Sequence, residues 1–289
     1  MDQGPIIRFR TLLTRGKAAV IVFSDLDGTL LEHDTYGFEA ARPALDLLRG
    51  KNIPLILCSS KTRTEMEGYQ KRLGIAGPFI VENGAGVYIP QGRLDLEGQN
   101  FREADGFQIV EWGRPYAHLV EALREIREET ALNLIGFSEM SLEEVGRYAG
   151  LDPAQAEQAK KRDYSEPFVV LDQETPFYLL EQSAKRRRLH LVRGGRFYHL
   201  LGENDKGRAV RWLTARYRKK NPNLVSIGLG DSPNDLPLLE NVDVPVLVRK
   251  PGGRHEAWRS EKEVYYTMGI GPEGWSEALL TLLPKGEAE

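Results

Sequence analysis

Continuous apolar runs, polar glycine-bearing turns and segments of helical period follow one another along the first part of the chain. Ala18-Ala19-Val20-Ile21-Val22-Phe23 is apolar and β-branched throughout, the pattern of a strand buried on both faces of a parallel sheet. A polar stretch from Ser24 to Asp34 follows. Ala40, Ala41, Ala44, Leu45, Leu47 and Leu48 then mark a helix, with Gly50 near its end. Ile53 to Cys58 predicts a second strand whose proline stands near the start, where it does least harm. Thr62 to Leu73 is helical again and is stopped by Gly74. Pro78-Phe79-Ile80-Val81 predicts a third short strand running into Glu82-Asn83-Gly84. This alternation predicts an α/β unit with a parallel sheet.

The middle of the chain has another rhythm. Tyr116 to Thr130, Ser141 to Tyr148 and Asp152 to Lys161 predict helices, the last opened by an aspartate and a proline. Phe168 to Leu171 and Leu189 to Val192 predict strands around a helix that carries Lys185-Arg186-Arg187-Arg188. The α/β pattern returns with a helix over Lys206 to Tyr217, a buried strand over Leu224 to Leu229 and a helix starting at Asp235. The expected division is therefore a core from 17–112 and 201–289, an inserted α+β domain at 113–200, and an N-terminal extension, 1–16, without an assigned role.

Composition narrows the classes. With 41% hydrophobic and 28% charged residues the chain has the makeup of a packed globular protein. A net charge of -3 gives no pointer to a nucleic-acid partner. No apolar stretch has the length of a membrane span, and the N-terminus lacks the apolar core of a secretory signal. The single cysteine, Cys58, excludes an internal disulfide and suits a reducing cytoplasm. The basic run at Lys185 to Arg188 fits a solvated helix face. These patterns set no oligomeric state.

Four pieces stand at strand ends or helix starts, and ligands of open α/β sheets bind outside the carboxyl ends of strands. Asp25-Leu26-Asp27-Gly28-Thr29 follows the first strand. Its two carboxylates suit a hard cation such as Mg²⁺, with Asp25 attacking phosphorus and Asp27 acting as general acid and base. Alone, the same turn is equally a solvated polar loop. Cys58-Ser59-Ser60-Lys61-Thr62 follows the second strand and offers hydroxyls and backbone N–H groups, or simply a helix cap. Lys206, in Asn204-Asp205-Lys206-Gly207, could neutralise nucleophile and phosphoryl charge, although a lone lysine is usually a surface charge. Gly230-Asp231-Ser232-Pro233-Asn234-Asp235 adds the oxygens of Asp231 and Asp235, beyond what a capped helix start needs. Each piece has a bland explanation; the set in this order does not.

The set resembles the haloacid dehalogenase-like phosphatases. That resemblance implies a Rossmann-like parallel-sheet core with an inserted cap, a Mg²⁺ cofactor and an aspartyl-phosphate intermediate. It implies Asp25, Asp27, Ser59 and Lys206 as catalytic residues. The metal would take the Asp25 carboxylate, the Asp27 backbone carbonyl and Asp231, supported by Asp235 and Asn234. Segments around Ser59, Asn83, Glu166 and Arg193 are similar to the mannosyl-3-phosphoglycerate phosphatases. These make mannosylglycerate, a compatible solute, and some members are expected to accept the glucosyl analogue. The substrate this resemblance implies is a small sugar phosphate bearing a carboxylate. From the residues themselves, Arg193-Gly194-Gly195 offers a cation and amides for an anion, Glu166 and His199 suit sugar hydroxyls, and Lys61 suits phosphate or carboxylate. Ser60, Asn83, Gly84, Ser165 and Asn234 complete the expected substrate contacts. The alternatives are another sugar-phosphate phosphatase, a metal-dependent glycosyltransferase using an Asp-x-Asp turn, and a binding module without catalysis.

Overall fold

The computed structural model describes residues 4–14, 18–171 and 176–284. In chain order the strands are β1 (Val20–Ser24), β2 (Leu55–Leu57), β3 (Phe79–Val81), β4 (Gly86–Pro90), β5 (Arg102–Ala104), β6 (Phe107–Glu111), β7 (Leu134–Gly136), β8 (Ser165–Val170), β9 (His190–Arg193), β10 (Tyr198–Leu201), β11 (Val225–Gly230), β12 (Val244–Arg249) and β13 (Tyr265–Ile270). The helices are α1 (Gly4–Thr14), α2 (Arg42–Gly50), α3 (Arg63–Leu73), α4 (Tyr116–Thr130), α5 (Leu142–Ala149), α6 (Pro153–Lys160), α7 (Phe177–Arg186), α8 (Lys206–Lys220), α9 (Leu236–Glu240) and α10 (Pro272–Leu282). They form two compact units. The first takes in the chain through Ser59, Gly92–Asp95 and everything from Lys206 onward; the second is Ser60–Gln91 with Leu96–Asp205. Among the described residues no helix is long and apolar enough to cross a membrane.

The first unit is built on a parallel sheet in the order β13-β12-β11-β1-β2. Its central strands are buried along their length, as their apolar runs require. At Gly228 a Cβ would come within 2.7 Å of Leu238 and 2.8 Å of Val242, so the missing side chain is what lets α9 and the turn after it close on the sheet. Ser24 lies beside Leu229 on one side and Leu57 on the other. The chain therefore leaves three adjacent parallel strands at one edge, and Asp25, Asp231 and Ser59 all fall just past those exits. Within the N-terminal extension, α1 packs on this unit. Phe9 and Leu13 of α1 are buried, Arg10 donates to the Thr281 carbonyl on α10 at 2.6 Å, and Arg8 pairs with Glu263 at 3.1 Å.

The second unit holds two antiparallel sheets, β7-β8-β10-β9 and β3-β4-β6-β5. This corrects one expectation. Phe79–Val81 does not extend the parallel sheet; it forms a hairpin with β4 through Glu82, Asn83 and Gly84, all with positive φ. An apolar run of this length has no feature that distinguishes a parallel from an antiparallel partner. The expected insert, 113–200, lies wholly within this unit, which also takes in 60–91, 96–112 and 201–205. Helices α4 and α7 bury Leu119, Leu123, Ile126, Leu180 and Ala184 against Phe168 and Leu200 of the first sheet. The basic run serves that packing. Arg187 bonds Glu125 at 2.9 Å and Glu129 at 2.8 Å, and Arg186 also bonds Glu129, tying α7 to α4.

Candidate active site

Asp25 is the first residue past β1. Its N–H donates to the Leu229 carbonyl at 3.0 Å, which holds it against β11. Three residues on, Gly28 adopts φ +78°, and a Cβ there would lie 3.0 Å from Asp231 Oδ2. Only glycine lets this turn approach Asp231 so closely. The turn is closed by Gly28 N–H donating to the Leu31 carbonyl and Leu31 N–H to that of Leu26. On the facing strand exit, Thr29 Oγ1 donates to Asp231 Oδ1 at 3.2 Å and Ser232 Oγ to Oδ2 at 2.9 Å. Asp235 is consumed differently. Its Oδ2 accepts the N–H groups of Asp231 and Ser232 at 3.1 and 3.0 Å, which organises the loop, and its Oδ1 takes Lys206.

Lys206 opens α8 and is fully buried. Its Nζ lies 2.6 Å from Asp25 Oδ1 and 2.5 Å from Asp235 Oδ1. Burial pushes its pKa down, but the two carboxylates outweigh that and carry it above the ordinary lysine value, so it stays charged. The carboxylates are pushed the other way. Burial and then the neighbouring Asp235 raise Asp25 well above the usual carboxylate range. Burial and Asp235 likewise raise Asp231 to about 7.

Oxygens of Asp25, Asp231 and Asp235 lie within 4.8 Å of one another. Such a donor set suits a small hard cation, which binds through one or two carboxylates and keeps waters. Asp235 is the most tightly engaged of the three, its oxygens taken by two backbone N–H groups and the charged Lys206, whereas the partners of Asp231 are two hydroxyls that can rotate to donate elsewhere. A bound cation would also remove the mutual repulsion that raises their pKa values. Asp27 stands outside this trio among the described residues.

Ser59 is buried just beyond β2, where Cys58 N–H donates to the Ser24 carbonyl at 2.8 Å. Asn234 lies in the short 3-10 turn Pro233–Asp235. The remaining expected contacts belong to the second unit. There the Ser60 carbonyl accepts from Arg162 at 2.8 Å, and Lys61 is buried near Glu65 and over the Tyr69 ring. Asn83 and Gly84 form the left-handed hairpin, and the Asn83 carbonyl accepts from Asn204. Ser165 donates to Glu82 at 2.6 Å. Glu166 is buried and accepts from the Ser138 N–H and hydroxyl at 2.9 and 2.6 Å. Gly194 N–H is spent on the Phe197 carbonyl, closing the β9–β10 turn beside buried His199. Arg193 and Gly195 are exposed, with the Arg193 guanidinium 5.6 Å from the Tyr198 ring centroid. Sequence reasoning passes over Thr29 and Ser232 as the groups that orient Asp231. It also misses the buried Glu82, which accepts from Asp163 N–H, Tyr164 N–H and Ser165 and braces Arg162. Neither hydroxyl stands out locally; their roles appear only when the two strand exits meet.

A family model for haloacid dehalogenase-like hydrolases matches residues 22–250. The chain is 43% identical over 265 residues to the glucosyl-3-phosphoglycerate/mannosyl-3-phosphoglycerate phosphatase of Methanococcoides burtonii, covering 92% of this chain and 97% of that protein. It is 38% identical over 268 residues to the enzyme of the same name from Persephonella marina, covering 91% and 97%. Among solved structures, the sucrose-phosphatase of Synechocystis sp. PCC6803 matches with a TM-score of 0.60 at 17% identity, over 92% of this chain and 98% of that one, a likeness of fold. The metal-dependent glycosyltransferase alternative falls outside this family. Matched across most of its length and aligned almost end to end with named phosphatases, the chain belongs to the haloacid dehalogenase-like hydrolases.

Proposed function

We propose that this hydrolase is a Mg²⁺-dependent phosphatase that converts mannosyl-3-phosphoglycerate, and its glucosyl analogue, to the hexosylglycerate and inorganic phosphate. Identity to the two named relatives supports the substrate. The chemistry is carried by one observation: a fully buried, charged Lys206 held 2.6 Å from an Asp25 carboxylate at a strand exit.

Asp25 attacks phosphorus. The bond from phosphorus to the glycerate oxygen breaks as Asp27 gives that oxygen a proton, leaving an aspartyl-phosphate on Asp25. Asp27 then takes a proton from water, which attacks phosphorus, releases phosphate and regenerates the Asp25 carboxylate. Lys206 favours the ionised form of Asp25 against its burial and offsets charge on the phosphoryl oxygens. Asp25, Asp231 and the Asp27 carbonyl would hold Mg²⁺, which when bound neutralises charge on the phosphate. Ser59 is assigned to a phosphoryl oxygen. Ser60, Lys61, Asn83, Gly84, Ser165, Glu166, Arg193, Gly194, Gly195, His199 and Asn234 are assigned to the rest of the substrate. We place the enzyme in the cytoplasm on the ground of its lone cysteine.

The test is phosphate release from mannosyl- and glucosyl-3-phosphoglycerate beside sucrose and hexose phosphates. Asp25→Asn should lose at least about a thousandfold, roughly 4 kcal/mol of barrier. Full activity in that variant would remove Asp25 as nucleophile. A preference for plain sugar phosphates would favour another sugar-phosphate phosphatase with the same mechanism.

A further inference from the structure

Trp275 on α10 and Ser24 at the end of β1 are both fully buried, and neither belongs to the proposed reaction machinery. They meet directly behind Asp25. The Trp275 indole N–H donates to Ser24 Oγ at 2.9 Å, and Ser24 Oγ donates to the Asp25 carbonyl at 2.6 Å. A buried indole needs an acceptor, which alone would account for the first bond. The second bond is what that explanation leaves over. An indole N–H can only donate, so the serine oxygen must accept from it, and the hydroxyl proton is left for another acceptor. That acceptor is the carbonyl of Asp25, at the point where the chain leaves the sheet ladder.

Both backbone polar groups of Asp25 are thereby held, the N–H by Leu229 and the carbonyl by Ser24. The side chain of Asp25 hangs between these two anchors. We propose that Trp275 and Ser24 are positioning residues for the reaction, a one-way hydrogen-bond relay that fixes the backbone of the Asp25 nucleophile. This rests on the reading of Asp25 as nucleophile. Attack on phosphorus demands a near-attack geometry, and a misplacement of about 1 Å costs on the order of a hundredfold. Loss of one anchor while the other holds should cost less.

The discriminating pair is Ser24→Thr and Ser24→Val, which share shape and differ in the hydroxyl. The Ser24→Thr enzyme should keep kcat within about threefold of wild type, and the Ser24→Val enzyme should lose about ten- to thirtyfold with KM within about twofold. Trp275→Phe, which keeps an aromatic ring, should lose about three- to tenfold in kcat by the same reasoning. Because Trp275 acts through Ser24, the Ser24→Val/Trp275→Phe double variant should lose no more than Ser24→Val alone. Equal kcat for the two Ser24 variants would overturn the relay, as would losses that multiply in the double variant. If Ser24→Val fails to fold, Trp275→Phe decides by itself, and wild-type kcat there overturns the proposal.

A second readout is independent of the substrate. Beryllium trifluoride with Mg²⁺ mimics the phosphorylated aspartate, and its adduct on Asp25 is followed by fluorine NMR. Its affinity should fall in Ser24→Val and hold in Ser24→Thr; equal affinities contradict the relay. A wild type that forms the adduct but releases no phosphate from the glycerate esters would sink the substrate assignment, and the relay would then be judged on the adduct. A wild type with neither would remove the nucleophile reading and this proposal together.

Discussion

Replacing Lys206 with methionine removes one charge from a fully buried ionic cluster in the first unit. Lys206 Nζ lies 2.6 Å from Asp25 and 2.5 Å from Asp235, with no solvent exposure. At an effective dielectric of about 20, each contact is worth roughly 6 kcal/mol of Coulomb attraction, and desolvation of the ions opposes most of it. What remains after deletion is the penalty of buried carboxylates without their cation, about 3–5 kcal/mol. Against a typical folding stability of about 5–15 kcal/mol, that is a large fraction.

The same deletion should strengthen metal binding, because the lysine and a divalent cation repel each other across the Asp25 carboxylate they share. For wild type, Mg²⁺ at about a hundred times its Kd adds about 2.7 kcal/mol. The variant should regain more than that at equal Mg²⁺, since its Kd is lower. Urea unfolding with EDTA and with Mg²⁺ measures both quantities, and phosphate release measures the lost catalysis. A Lys206→Met protein that is as stable as wild type in EDTA, or that gains no more from Mg²⁺, would refute the electrostatic account of this cluster.

Two further outcomes follow from the same geometry. Burial and Asp235 raise Asp231 from 3.8 to about 7, so below about pH 7 the folded metal-free protein favours its protonated form. The penalty for ionising it is absent below about pH 4 and complete above about pH 7, on the order of 4 kcal/mol. Stability in EDTA should therefore fall as pH rises across that window, and saturating Mg²⁺ should flatten the dependence; a profile flat in EDTA contradicts it. Gly28→Ala forces a Cβ to 3.0 Å from Asp231 Oδ2 at a positive φ. It should cost about 1–2 kcal/mol in unfolding measurements, and weaken Mg²⁺ binding in calorimetry by displacing Asp231. Unchanged Mg²⁺ affinity would show that Asp231 is not held by that close approach.

Much of the first unit was legible because local signals and tertiary needs coincide there. The apolar run ending at Phe23 is a buried parallel strand. In the second unit the same holds for α3, which Thr62 caps with Glu65 and Gly74 stops in the left-handed conformation. The candidate site was legible for a related reason: Asp25, Ser59 and Asp231 each follow a strand, and parallel strands bring their exits together. What stayed hidden depends on partners distant in sequence. Phe79 to Val81 pairs antiparallel with β4, and nothing in so short an apolar run specifies that. The amphipathic face of α1, with Phe9 and Leu13, is too brief for its pattern to outweigh the surrounding basic residues. Ser24 and Trp275 stand 251 positions apart, so their bond has no local trace. The role of Asp235 was readable only as another acid; the structure also engages its two oxygens with the loop amides and Lys206.

The claim on which everything else turns is that phosphate passes through Asp25. Wild-type enzyme mixed with mannosyl-3-phosphoglycerate and Mg²⁺, quenched within one turnover and treated with borohydride, should yield the peptide spanning Asp25 with that aspartate reduced to homoserine. Reduction should vanish when substrate is omitted. No reduced residue while phosphate is being released, or reduction at Asp27 or Asp231 instead, would contradict the account.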